Sequence, residues 1–348
     1  MEMSMVRPAY LGIEIGGTKL QLAIGPGDGS ISSIERRAIR PEAGAVGILD
    51  QIREVFAGLL SRGQARPIAV GIGFGGPVDT DRGLVVKSHQ VQGWDGFPLA
   101  DWARSTLGIN RVALQNDADT AGLGEARFGA GRGCSPVFYV TIGSGIGGGL
   151  ILDGRIYRGS GLGAAEIGHL WVDELGQPAK ILESIASGWS LGAAGRAVFE
   201  DGMKEGPLES LAGGDRSKVD AKLVALAAEQ RDARAITILS TATRALGRSL
   251  AHMVTLLAPR RIILGGGVSL LGESLWFGPI RDELERRVFP PYRGTFDVVP
   301  ALLGEEVVLH GALALARDLL EPAKIRDPTS ESFLTPDGQD AQTINRIA

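Results

Sequence analysis

Asp117 lies in the stretch Leu114 to Glu125, which reads Leu-Gln-Asn-Asp-Ala-Asp-Thr-Ala-Gly-Leu-Gly-Glu. The apolar run Val112 to Leu114 delivers the Gln-Asn-Asp triplet and small residues follow it, the pattern of a strand passing into a closely packed helix. A carboxylate at such a junction can project into a cleft mouth and take a proton from a hydroxyl during nucleophilic attack. Glycine-rich turns could supply the other half of that chemistry. Gly16-Gly17-Thr18-Lys19 and Gly143-Ser144-Gly145 each follow an apolar run, and both can turn backbone N–H groups toward a phosphate, with Thr18 adding a hydroxyl. Gly265-Gly266-Gly267 offers bare backbone against which a flat ring could lie. Taken alone, Gly16-Gly17 is equally well read as an ordinary hairpin turn.

Glu166, His169 and Glu183 are polar groups in otherwise small or apolar surroundings, suited to orienting ligand hydroxyls. Surface glutamates and a satisfied interior histidine account for them equally well at this level. His89, in the loop from Val78 to Leu99, is read as a loop-stabilising histidine.

These groups need a scaffold. Tyr10 to Ile15 and Leu20 to Ile24 are predicted strands flanking the first glycine turn, and Ala45 to Leu60 carries apolar residues at helical spacing. Pro67 to Gly71 is a predicted strand running into a glycine-rich edge that ends at Gly75-Gly76-Pro77, and a short helix is expected around Leu99 to Leu107. Val137 to Ile142 is a further strand. Apolar strand residues and not a helix follow Gly143, which excludes a dinucleotide fingerprint there. Ala233 to Leu257 predicts a long helix with Ile236, Leu239, Ala242, Leu246, Leu250, Val254 and Leu257 on one stripe. Arg260 to Leu264 is a strand, and Val307 to Leu320 a final helix.

The chain also repeats itself. Leu11 to Gly16 aligns with Phe138 to Gly143, strand on strand and turn on turn, and the edges at Gly71 to Gly76 and Gly265 to Gly267 form a second pair. Duplication of one α/β unit is the economical explanation. At 348 residues the chain is long enough for about two domains. The expected division is an N-terminal lobe of residues 1–118 plus 306–322, a C-terminal lobe of residues 119–305, and a polar, proline-containing tail over 323–348. The net charge of −4 and the absence of a basic block argue against nucleic acid or an anionic membrane as partner. One cysteine, Cys134, excludes an intrachain disulfide framework, and no apolar run approaches the length of a membrane span. A cytoplasmic protein with a small-molecule partner is expected.

In these motifs and their order the sequence resembles the ROK family of sugar kinases and related repressors, from Tyr10 to about Leu320. Glu14-Ile-Gly-Gly-Thr-Lys19 and Gly143 to Gly149 look like the family's two phosphate loops, and Gln115-Asn-Asp-Ala118 onward to Glu125 like its catalytic segment. Glu166-Ile-Gly-His169 and Glu183 to Gly188 look like its sugar motifs, and Gly265 to Ser269 like its adenosine edge. The resemblance implies a two-lobed actin-like, ribonuclease-H-like ATPase fold with a central cleft. It implies ATP-dependent phosphorylation of a hexose or N-acetylhexosamine, and a homodimer is common in the family. Asp117 would be the base. Gly76, Asn116, Glu166, His169 and Glu183 would hold the sugar, and Gly16, Gly17, Thr18, Lys19, Gly143, Ser144, Gly145 and Gly265 to Gly267 the nucleotide.

Three departures from the family pattern stand out. Glu14 occupies a place where Asp is common, and is the expected contact for Mg2+. The segment His169 to Glu183 lacks the family's zinc-binding cysteines, so no structural zinc is expected and Leu175, Pro178, Ile181 and Leu182 should hold that loop by packing. Gln90 stands where the family often has Asn, a change that could alter sugar choice alongside Trp94. The contrasting reading is a sugar-binding regulator or a catalytically degenerate sensor. Family repressors carry a helix-turn-helix ahead of the kinase-like body, and the few residues before Tyr10 are too short for one.

Overall fold

The structure, a computed structural model, describes residues 8–88, 90–159, 163–172, 178–199 and 206–321. Two five-stranded sheets share one topology. In the first, β1 (Tyr10–Ile15), β2 (Lys19–Gly25), β3 (Ser33–Ala38), β4 (Val70–Phe74) and β5 (Val112–Asn116) lie in the order β3-β2-β1-β4-β5. The first three are antiparallel, and β1, β4 and β5 are parallel. The second sheet repeats this with β6 (Val137–Ile142), β7 (Ile146–Leu152), β8 (Arg155–Ile156), β9 (Arg261–Gly265) and β10 (Asp297–Pro300), in the order β8-β7-β6-β9-β10. Its antiparallel and parallel pairs fall in the same places. The repeat read from the glycine turns is therefore a repeat of topology, and β4 and β9 are equivalent strands. This is the two-lobed actin-like ATPase fold.

Strands β1, β2 and β4 are buried along almost their whole length, which is why they read as largely apolar runs, with Glu14 and Gln21 as buried exceptions. Helix α1 (Gly44–Ser61) and helix α2 (Leu99–Leu107) complete the first core with Ile48, Ile52, Leu59 and Leu99. The second core lies between β6, β7 and β9 and a long helix, α4 (Ala233–Leu257). On that helix Leu239, Ala242, Leu246, Leu250 and Val254 are buried as the periodicity predicts. Ile236 departs from it and is 44% exposed, because the buried stripe starts on Ala235 in the first turn.

Two helices join the lobes. Helix α3 (Asp117–Phe128) leaves β5 and packs its Gly122 against Tyr139 and Ile151 of the second sheet. Helix α5 (Val307–Asp318) follows β10 and packs Ala312 and Leu313 against Gly71 and Gly12 of the first sheet. They cross backbone to backbone: a Cβ on Gly311 would lie 1.8 Å from the carbonyl oxygen of Thr120, and one on Gly124 would lie 2.6 Å from that of Val307. Buried Glu125 fixes the far end, its carboxylate accepting from the N–H groups of Leu302 and Leu303 at 2.8 Å and of Ala130 at 2.7 Å.

Among the described residues of the loop expected to pack in place of a zinc site, Leu182 is buried, Ile181 half-buried and Pro178 exposed. Pro178 is exposed, like Ala179 and Lys180 after it, and so departs from that expectation. Leu175, His89 and residues 323–348 lie outside the described residues. No helix among the described residues is long and apolar enough to cross a membrane.

Candidate active site

Asp117 is the first residue of α3, and the residue before it builds its position. Asn116 caps the helix, its Oδ1 accepting from the N–H groups of Ala118 at 2.8 Å and Asp119 at 3.3 Å. The helix thus begins where β5 ends, and the Asp117 carboxylate is held at the mouth between the sheets. It accepts a hydrogen bond from the N–H of Ala118 at 2.8 Å. Burial and the neighbouring Glu14 carboxylate push its pKa up to about 7, against the opposing pull of the Ala118 N–H. A carboxyl poised near neutrality is tuned for proton transfer.

Asp117 lines a cavity of about 730 Å3 together with Gly17, Gly76, Asn116, Gly143, Ser144, Gly145, Glu166, His169 and Glu183. Residues separated by more than 160 positions in sequence meet there because both sheets present their first hairpin turn to the same opening. In the first turn Gly16 N donates to Lys19 O at 2.9 Å, a bond in which the N–H groups of Gly17 and Thr18 take no part. In the second, Gly143 N donates to Gly145 O at 2.9 Å, and Gly188 N returns to Gly143 O at 2.8 Å. Glu183 is tied to this turn, its Oε2 accepting from Ile146 N at 2.8 Å, which leaves Oε1 available to the cavity. Glu166 opens a short turn ending at His169, and its pKa is raised by loss of surrounding water, with His169 opposing and Glu183 adding to the shift.

Several expected site residues do not reach the cavity. Gly16, Thr18 and Lys19 belong to the first turn but do not line it. The Lys19 ammonium is drawn away to the Glu14 carboxylate at 3.3 Å and to Glu305 O at 3.2 Å. Glu14 lies on β1 behind the turn, is 8% exposed and accepts from Gln21 Nε2 at 2.6 Å. Burial raises its pKa, partly offset by Lys19. Gly265, Gly266 and Gly267 also fall outside the cavity lining. They stand next to it, at the end of β9, and the following Val268 comes within 3.6 Å of a Cβ built on Gly188. Trp94 is a correction of another kind. It is 1% exposed and packs edge-on between Phe74 and Phe97, so it anchors its loop and has no surface to offer a ligand.

The cavity also has members that were not singled out as site residues. Gly75, Pro77, Thr141, Ile146 and Gly147 line it as the backbone surroundings of the glycine turns. Asp119, 3% exposed, lies beneath it in the first turn of α3; its Oδ1 has no hydrogen-bond partner, and burial and Glu166 push its pKa up to about 7. The doubled acid in Asp-Ala-Asp was the visible hint.

The donor set fits a nucleotide and its cation. Backbone N–H groups in two facing turns suit phosphate oxygens, and Mg2+ is usually held by one or two carboxylates plus phosphates. Glu14 raises the proton affinity of Asp117, a repulsion that a divalent cation relieves. Among the described residues no group of three or more His, Cys, Asp or Glu could hold a metal by itself.

The ROK family model matches residues 10–319. The glucokinase of Thermotoga maritima is 33% identical over 322 residues, covering 90% of this chain and 99% of that protein. A solved ROK family glucokinase from Streptomyces griseus, in complex with glucose and AMPPNP, has a TM-score of 0.75 at 35% identity, covering 89% of this chain and 99% of that one. The DNA-binding transcriptional repressor Mlc of Escherichia coli is 28% identical, over 73% of this chain and 62% of the repressor.

Proposed function

The chain belongs to the ROK family, and from that premise we propose that it transfers the terminal phosphoryl group of ATP to a hydroxyl of glucose or a closely related hexose, with Asp117 as general base. It is an ATP-dependent carbohydrate kinase. The observation that carries the finer reading is the position of Asp117, facing both glycine turns and the Glu166, His169 and Glu183 group across one cavity.

A sugar hydroxyl is too weakly acidic to ionise at neutral pH, so a positioned carboxylate must take its proton as the oxygen attacks phosphorus. Asp117 does this. The new bond joins the sugar oxygen to the terminal phosphorus, the bond to the bridging oxygen breaks, and ADP leaves with that electron pair. Glu166, His169 and the free oxygen of Glu183 orient the sugar, and the N–H groups of Gly17, Ser144 and Gly145 hold the phosphates. Asn116 fixes the base. Asp117 and Glu14 are the carboxylates that would hold Mg2+, and the ion would supply neutralisation of the charge developing on the transferring group.

The preference for glucose rests on the relatives at 30% identity or more named glucokinase, which span nearly this whole chain. A coupled assay of ADP release over a panel of hexoses and N-acetylhexosamines tests it. Glucose should give the highest kcat/KM. A different sugar at the head of the panel would overturn the substrate, and no turnover with any of them would overturn the enzyme reading in favour of a sugar-binding regulator.

A further inference from the structure

A second cavity, of about 410 Å3, runs along the edge of the first sheet. Four consecutive residues of β5, residues 112–115, line it, and β5 is last in its sheet, with no strand paired beyond it among the described residues. Ile156 of β8 lines it too, so both sheets give an edge strand to one groove. The end of α5 adds Leu315, Asp318 and the following Leu319. Charge singles the groove out. Arg127, Arg155 and Arg158 line it against one carboxylate, Asp318, an excess of two positive charges in a chain whose net charge is −4. Arg127 holds Asp318 through two bonds, at 2.6 and 2.8 Å, and Arg158 donates to Thr80 Oγ1 and pairs with Asp81 of the first lobe at 3.4 Å. Such a surface suits an extended acidic segment: a sheet edge offers main-chain partners, apolar walls take a side chain, and guanidinium groups take carboxylates.

The chain itself carries that segment. It leaves α5 at the groove, where Leu319 is 42% exposed, and continues past Glu321. Residues 327–340 contain the carboxylates of Asp327, Glu331, Asp337 and Asp340, no lysine or arginine, and the apolar pair Phe333-Leu334. Pro328 and Pro336 bracket residues 329–335, and a proline biases the residue before it toward extended backbone. In an extended run Glu331 and Phe333 fall on one face. The ten residues from Glu321 to Glu331 can span up to about 33 Å, enough to turn back along the four lining residues of β5, which cover about 13 Å. We propose that residues 329–335 dock in this groove as a strand added to β5, with Phe333 against Ile156, Leu315 and Leu319 and Glu331 toward Arg155. Because the walls come from both lobes, the docked segment is an intramolecular clasp across their junction. It does not depend on the sugar-kinase reading.

Hydrogen exchange of the full chain, compared with a synthetic peptide of residues 327–340, tests this. A tether of this length holds the segment at an effective concentration of about 1 mM, so a contact with an intrinsic Kd of about 0.1 mM slows exchange of amides 329–335 by about ten-fold. Phe333→Ser should return those amides to the rate of the free peptide and speed exchange at residues 112–115. Arg155→Glu should do the same, and adding Glu331→Arg to it should recover part of the protection, because the two side chains attract again. Amides 329–335 that exchange in the wild type as fast as in the free peptide overturn the docking. So does protection left unchanged by Phe333→Ser, a variant that alters no residue of either core. Protection that falls as the protein is diluted means that a second copy's segment fills the groove, and overturns the intramolecular clasp. None of these readouts involves turnover, so failure of the docking leaves the kinase reading in place.

Discussion

Asn116 Nδ2 donates to the carbonyl oxygen of Gly76 at 3.1 Å, so the residue that caps α3 also ties the end of β5 to the glycine-rich edge after β4. One side chain thus holds the base from two directions, with its oxygen on the helix and its nitrogen on the neighbouring strand end. Asn116→Asp keeps a good helix cap but removes the donor to Gly76 and places a second negative charge beside Asp117. The acid limb of the pH–rate profile should move to higher pH, and thermal unfolding should show a loss of about 0.5–1.5 kcal/mol for the missing bond. An unmoved acid limb would count against Asn116 as the group that sets the environment of Asp117.

Asp117 must be ionised to accept a proton, and its folded pKa is raised to about 7. The expected kcat/KM therefore falls as the pH drops below about 7 and levels off above it. In kcat, measured with Mg2+ and ATP bound, the limb should lie lower, since a nearby cation favours the carboxylate. Asp117→Asn should retain sugar binding and lose about 100- to 10,000-fold in kcat, the usual worth of a general base. Near-wild-type turnover in the coupled assay would remove Asp117 from that role.

Asp119 makes a stability prediction independent of turnover. Its folded pKa of about 7 lies above the ordinary carboxyl value, so the native state binds more protons than the unfolded state between about pH 4 and pH 7. Stability from this group therefore declines as pH rises through that window, and the loss is complete above it. The neutral variant Asp119→Asn does not titrate. Relative to wild type it should gain on the order of 4 kcal/mol between pH 4 and pH 8, at about 1.4 kcal/mol for each pH unit separating the folded and unfolded pKa values. Chemical denaturation at the two pH values measures this, and a mutant-minus-wild-type difference that does not change with pH would contradict it.

The strands that frame the cavity were readable because both faces of β1, β2 and β4 are covered, which writes them as apolar runs broken only by buried Glu14 in β1 and by Lys19 and Gln21 in β2. Strand β3, Ser-Ile-Glu-Arg-Arg-Ala, carries no such signal: it is an edge strand with three exposed residues, held in place by its ladder to β2. Helices α1, α2, α4 and α5 were readable to within a residue or two at their ends, whereas those at Gly188–Val198, Ala221–Glu229 and Gly278–Arg287 were not delimited from the sequence. What the sequence could not express is how one side chain is divided among partners. Asn116, read as a sugar ligand, spends its oxygen on a helix cap; Lys19, read as a phosphate ligand, spends its ammonium on Glu14 and Glu305 O. Trp94 looked available to a sugar, and only the ring positions of Phe74 and Phe97 show that it is enclosed.

The zinc expectation remains open to direct measurement. His169 faces the cavity, and the described residues around it supply no thiolate, the ligand type that structural zinc sites favour. Metal analysis of the purified protein should find well under one zinc per chain, and prolonged exposure to a chelator should leave the Tm unchanged. Stoichiometric zinc, or a chelator-induced drop in Tm, would mean that a metal shares His169 with the sugar site.

The crossing of α3 and α5 should tolerate almost nothing. A methyl group on Gly311 would lie 1.8 Å from the Thr120 carbonyl oxygen, which is main chain and cannot turn aside, so Gly311→Ala must push the two helices apart. Overpacking of this kind costs about 1–3 kcal/mol or more. The displacement would also reach the site, because Thr120 is on the helix that begins at Asp117 and its hydroxyl donates to Asn116 O at 2.6 Å. Gly58, inside α1, is the matched comparison: the nearest heavy atom to its Cβ would be the flexible end of Arg62 at 3.9 Å. Gly58→Ala should therefore raise stability by about 0.5–1 kcal/mol through the helix preference of alanine, with unchanged turnover. Denaturant midpoints and kcat for the pair should move in opposite directions for stability, and only Gly311→Ala should lower kcat. A Gly311→Ala protein as stable and as active as wild type would show that the two helices are free to separate at this crossing.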